Sequence, residues 1–267
     1  MLTEDAMRKV AVLLSLLVLA CDGRESVGSW AKGLVSDPPP PTPIAIVIAL
    51  DVSKGSTCGQ VELASNIESA LQVAASRPHS SVAVWLFGAD VATTRELARV
   101  ISPEASTRGD RARSAQQRQW VESSRADLLR TTRVIFDAQP LRSSPIAAGI
   151  TTILLSRRDP NQVLVVIGDA LESTRETFDF ECKHLPSTTE FLARLKSLSF
   201  LTPGSLTGTR VVFANARIAP VGENRCAMTV SRVASVRSLW SAAISNAGGT
   251  ASFTTDAVSP AELEGTK

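Results

Sequence analysis

Residues 44–50 read Ile44-Ala45-Ile46-Val47-Ile48-Ala49-Leu50, and Asp51-Val52-Ser53 follows at once. Seven apolar residues in a row predict a strand covered on both faces, because a strand with one wet face alternates apolar and polar side chains. Three further runs have the same character: 82–87 (VAVWLF), 163–167 (VLVVI) and 211–214 (VVFA). Helical patterns lie between them. Residues 60–76 place Leu63, Ile67, Ala70, Leu71 and Ala74 on one face, and 145–155 align Ile146, Ile150 and Leu154 behind Pro145, which suits a first helical position. Ser187-Thr188-Thr189-Glu190 spells a capping box ahead of Phe191, Leu192, Leu195 and Leu198. Residues 230–246 carry a stripe of Val233, Val236, Leu239, Trp240, Ala243 and Ile244 that stops at Gly248-Gly249, and a short strand is expected at 251–255. Strands alternating with helices predict an α/β fold: a Rossmann-like, mostly parallel central sheet flanked by helices. An antiparallel strand is expected at 96–101. The polar stretch 103–127 reads as a surface excursion ending in a helix that buries Trp120, Val121, Leu128 and Leu129.

Composition narrows the function classes. With 267 residues, 44% hydrophobic and 20% charged, the chain can build a sizeable core. Aromatic residues make up only 4%, without a tyrosine, so that core is mainly Val, Ile, Leu and Ala. A net charge of +2, from 28 basic and 26 acidic residues, lacks the clustered basic excess of a nucleic-acid binder, and no nucleic-acid partner is expected. Two His and four Cys leave little material for a zinc site or a histidine-based catalyst.

The N-terminus reads as an address. Arg8 and Lys9 precede the apolar run 11–20 (AVLLSLLVLA), the pattern of a secretory signal and about half the length a membrane-spanning helix needs. Its end, Val18-Leu19-Ala20-Cys21, resembles the lipobox of bacterial lipoproteins, which implies lipidation of Cys21, a lipid-anchored membrane attachment and a place in the cell envelope, periplasmic or at the cell surface. Residues 22–43, with the run Asp37-Pro38-Pro39-Pro40-Pro41-Thr42-Pro43, read as an extended Pro-rich tether. The expected organisation is therefore a signal at 1–21, a tether at 22–43 and one folded domain at 44–267.

Ligands of open α/β sheets bind outside the carboxyl ends of the strands. There the first strand runs into Asp51-Val52-Ser53-Lys54-Gly55-Ser56, a later strand into Gly168-Asp169, and Ser144 opens the helix between them. Hard oxygen donors of this kind suit Mg²⁺ or another divalent cation. On these residues the sequence resembles the von Willebrand factor A (vWA) family over about residues 43–256. In that family the first strand leads into an Asp-x-Ser-x-Ser motif, and a Thr and a second Asp complete a metal-ion-dependent adhesion site. Asp51 and Ser53 match the motif, Gly55 stands where its second Ser belongs, and Ser56 is the nearest substitute. Ser144 stands at the Thr position and Asp169 at the last Asp. The resemblance implies a metal set of Asp51, Ser53, Ser56, Ser144 and Asp169, and protein–protein recognition with a protein partner.

Other readings stay open. A vWA-like scaffold binding without metal fits the loss of a hydroxyl at Gly55. A haloacid-dehalogenase-like phosphatase also carries an Asp after its first strand, but Ser53 occupies the place of its general acid. A serine hydrolase would need the Gly-x-Ser-x-Gly elbow that this chain lacks, and only His79 and His184 could act as its base. Of the cysteines after Cys21, Cys58 and Cys182 both belong to loops at the proposed site's edge and form the preferred disulfide; Cys182 with Cys226, or three free thiols, are the alternatives.

Overall fold

The computed structural model describes residues 41–53, 56, 58–88, 90, 92–138, 141–156, 159, 161–174, 177–180, 184–216 and 229–265. The expected signal, the lipidation expected at Cys21 and the expected tether up to residue 40 lie outside them. The described residues belong to one compact unit, Pro41–Lys267.

Six strands form one sheet: β1 (Ala45–Leu50), β2 (Ser81–Leu86), β3 (Arg95–Ile101), β4 (Gln162–Ile167), β5 (Arg210–Ala214) and β6 (Thr250–Phe253). Their order is β3-β2-β1-β4-β5-β6, with every pair parallel except β2–β3. This is the mostly parallel sheet expected from the sequence, with the antiparallel strand on its edge. β1 and β4, the two central strands, are buried at every residue, which is why neither alternates.

The pleat divides β1 between two cores. Val47 and Ala49 face α3 (Ile146–Ser156), α4 (Thr188–Ser197) and α5 (Val230–Asn246); Ile46, Ile48 and Leu50 face α1 (Gln60–Ala75), α2 (Asp110–Phe136) and α6 (Pro260–Glu264). The few aromatics are concentrated in the first core. Phe180, Phe191 and Phe213 ring Trp240 with centroids 5.4–6.3 Å away. The Ser187 capping box is present: Ser187 Oγ accepts from Glu190 N at 3.2 Å, and Glu190 Oε2 accepts from Ser187 N at 2.7 Å.

The polar stretch differs from expectation. It is helical from Asp110, and α2 runs for 27 residues, about 40 Å at 1.5 Å per residue. Of the four residues expected to be buried, only Leu128 is; Trp120, Val121 and Leu129 are half-buried. Only Ser124, Leu128 and Thr132 are buried, a single i, i+4 line along the helix, so its contact stripe is narrow. Trp120 lies at that margin, its indole N–H donating to Ile101 O at 3.0 Å. Pro145 precedes α3 by one residue, and its carbonyl accepts the helix's first hydrogen bond, from Gly149 N at 2.8 Å. Among the described residues, no helix is long and apolar enough to cross a membrane.

Register aligns the strand ends. Leu50 pairs with Leu86 on one side and Ile167 on the other, and Ile167 pairs with Ala214. The residues after β1, β2, β4 and β5 therefore leave the sheet at a common upper edge.

Candidate functional site

Asp51 continues the ladder for one residue, its N–H donating to Ile167 O at 3.0 Å. That bond turns the carboxylate into the crevice between β1 and β4, where the residue is 1% exposed. Oδ1 accepts from Ser53 N at 3.0 Å and Oδ2 accepts from Ser144 Oγ at 2.7 Å. Burial pushes the Asp51 pKa up; the hydroxyl of Ser144, then the amide and hydroxyl of Ser53, pull it back. The Asp51–Ser144 pair joins positions 93 apart in sequence.

Each partner is held by backbone. Ser53 bridges to Leu141, whose N–H donates to Val52 O at 3.2 Å, so the segment leading to Ser144 lies along the loop after β1. Ser144 exchanges two backbone hydrogen bonds with Ser173, at 2.9 and 3.0 Å, which fixes it to the loop after β4. Ser56 N donates to Ser53 O at 3.0 Å, and Ser56 Oγ accepts from Cys58 N at 3.2 Å.

Gly168 explains how these groups fit. A Cβ added there would stand 2.9 Å from Asp51 Cβ, 3.2 Å from Asp51 Oδ2 and 3.3 Å from Ser56 Oγ. The missing side chain leaves a cradle between the two oxygens. Asp169 follows at the same edge and is 6% exposed; one of its bonds is from Leu171 N to Oδ1 at 3.0 Å. Thus Asp51, Ser53 and Ser144 are in direct contact, Ser56 flanks the same cradle, and Asp169 shares the edge with its carboxylate engaged in its own turn.

Two residues not anticipated from the sequence shape the site. Glu172 is fully buried; Oε2 accepts from Ala147 N at 2.9 Å and Oε1 from Thr177 Oγ1 at 2.5 Å. It thereby supplies the first turn of α3, which has no acidic residue of its own. Burial pushes its pKa up to about 7, and the negative charge of Asp51 adds to the rise. The available signal was that unfilled helix start, together with an acid three residues beyond Asp169. Trp240 is the other: its indole N–H donates to Ala170 O at 2.8 Å and holds the loop that carries Asp169. Ala170 adopts a φ of 61°, in the left-handed region that costs a non-glycine residue about 1 kcal/mol.

The remaining candidates are placed as follows. Cys58 has a free, half-buried thiol beside the site, and burial raises its pKa, with Asp51 and Glu62 adding to the rise; a protonated thiol is a poor nucleophile. Its proposed disulfide partner Cys182, and Cys226, lie outside the described residues. His79 sits before β2, at the opposite edge of the sheet, and His184 is exposed in the segment ahead of α4.

No family model matches the chain, and no curated protein does. Among solved structures, it is similar to an aerotolerance-related membrane protein from Bacteroides fragilis carrying multiple mutations to serine, at 14% identity and a TM-score of 0.42, over 83% of this chain and 96% of that one. It is also similar to a mutant of the PilB minor pilin from Streptococcus sanguinis, at 11% identity and a TM-score of 0.44, over 86% of this chain and 61% of that one. The α/β fold itself stands on the strand order and register given above.

Proposed function

We infer that this chain is a recognition protein of the cell envelope, in which a vWA-like domain meets a protein partner at the upper edge of the sheet. A divalent cation at that edge would be held by Asp51, Ser53, Ser56, Ser144 and Asp169. The observation that carries this reading is the buried contact of Ser144 Oγ with Asp51 Oδ2 at 2.7 Å, beside the cradle at Gly168. Carboxylate and hydroxyl oxygens are the donors that Mg²⁺, Mn²⁺ and Ca²⁺ take. Bound there with an open coordination position, the ion would offer an attachment point for an acidic side chain of the partner. The Pro-rich stretch before Thr42 would act as a spacer, and Cys21 would carry the lipid.

Metal-independent recognition is the second reading. It is favoured by Gly55, which stands where a hydroxyl ligand would be needed, and by Asp169, whose Oδ1 accepts from Leu171 N at 3.0 Å within its own turn. One set of experiments addresses both readings. Crosslinking of the full-length protein in envelope preparations should yield a partner adduct that EDTA abolishes, Mg²⁺ restores and Asp51→Ala lacks. Cys21→Ser should move the protein to the soluble fraction. An adduct unchanged by EDTA and by Asp51→Ala supports the second reading, and a Cys21→Ser protein that stays in the membrane fraction removes the lipid anchor.

A further inference from the structure

At the opposite, lower edge of the sheet lies a polar pocket of about 340 Å³ that the proposed recognition site does not use. Four segments distant in sequence converge on it. Arg77 follows α1, Gln162 opens β4, Arg210 opens β5, and Glu264 ends α6; Thr42 and Asn161 complete the rim. Two guanidinium groups thus share the pocket with one carboxylate.

Their bonds leave donors over. The two Nη atoms of Arg210 donate to Glu262 O and Leu263 O, so this side chain is committed to closing the end of α6. Arg77 reaches Thr42 O through Nη1 and Glu264 Oε1 through Nη2, each at a long 3.4 Å. Among the described residues, Arg77 Nε and Gln162 Nε2 are buried without a hydrogen-bond partner, and Gln162 as a whole is 2% exposed. A buried donor left unpaired costs about 1–3 kcal/mol, and more when it is charged. The two residues that carry these shielded N–H groups therefore line one cavity together with an excess of positive charge. A species bearing several acceptor oxygens and negative charge satisfies both conditions together, and guanidinium matches a phosphate's oxygens particularly well.

We propose that this pocket is a phosphate-binding site, in which the Arg77 and Gln162 side chains turn their unpaired N–H groups toward the phosphate oxygens as the ion enters and Arg210 supplies background charge. The cavity exceeds the size of a bare phosphate, so a phosphodiester with a small substituent fits as well. Inorganic phosphate and an anionic phospholipid headgroup share this chemistry. The pocket is independent of the Asp51 site, and its test does not involve that site.

The test uses the full chain, titrated with sodium phosphate against sodium chloride at matched ionic strength, with melting temperature and heat of binding as readouts. A saturable phosphate effect is expected. Arg77→Gln and Gln162→Leu should each weaken it about tenfold or more, as for loss of a charge-assisted hydrogen bond. Gln162→Leu changes no charge and removes an unpaired donor, so its melting temperature without phosphate should equal or exceed that of the wild type. Vesicles of phosphatidylglycerol separate the sources. Binding that phosphate displaces and Gln162→Leu abolishes assigns a headgroup, whereas phosphate binding without vesicle binding assigns the free ion. A wild-type response no larger in phosphate than in chloride, or a Gln162→Leu protein that responds like the wild type, overturns the proposal.

Discussion

Two buried carboxylates in one crevice set the chemistry at the scale of single residues. Asp51 is made tolerable by Ser53 and Ser144, Glu172 by Ala147 and Thr177, and the negative charge of Asp51 raises the affinity of Glu172 for protons. Glu172 has the readable consequence. Its folded pKa of about 7 lies above the ordinary 4.5, so between these values the folded state holds a proton that the unfolded state has released. Stability is thus greatest below about pH 4.5 on this account and declines as the pH rises to 7, by an amount of the order of 3 kcal/mol. Asp51, shifted in the same direction, adds to the slope. Urea unfolding from pH 5 to 7.5 should show this decline in the wild type and a flatter profile in Glu172→Gln, which keeps an acceptor for Ala147 N. Equal slopes in the two proteins would mean that Glu172 is ionised throughout.

Among the elements, α3 owes its close approach to the end of β2 to a glycine. A Cβ at Gly149 would meet the Phe87 ring at 2.3 Å, closer than any side chain can stand, so the helix approaches β2's end only because this position is glycine. Gly149→Ala gains up to about 1 kcal/mol in helix propensity, but overpacking of this kind costs about 1–3 kcal/mol. A net loss of stability is expected by chemical denaturation, with recovery in the double variant Gly149→Ala, Phe87→Leu; a stabilised single variant would contradict the packing described. The same helix marks how far the sequence could be read. Ile146, Ile150 and Leu154 announced its buried face, and the unbroken run 44–50 announced a strand covered on both sides. Asp51 and Ser53 were legible because they follow directly on the first of these strands, and Ser144 because it stands just ahead of the helix. Glu172 was not, because a carboxylate that caps a helix from a distant loop leaves no local pattern. The extent of α2 was also hidden, since a long polar helix with a narrow contact stripe resembles an exposed loop in hydropathy.

At the scale of the whole molecule, the proposed function rests on where the chain reverses direction across the sheet. From β1 the connection runs outward to β2, and from β4 it runs the other way to β5 and β6. The crevice between β1 and β4 is the switch point at which such sheets hold ligands, and the Asp51 carboxylate is turned into it, with Asp169 on the opposite strand end. A cation there would bind the folded state alone and stabilise it by RT ln(1 + [L]/Kd), about 2.7 kcal/mol at a hundredfold excess over Kd. Gly55, at the place of a motif hydroxyl, calls for millimolar ion in the test. The direct measurement is the melting curve of the wild type and of Asp51→Ala, each with Mg²⁺, Mn²⁺ or Ca²⁺ and with EDTA. The account predicts a saturable upward shift in the wild type that EDTA reverses and Asp51→Ala lacks; a wild-type curve that none of the three ions moves at saturating concentration would contradict it.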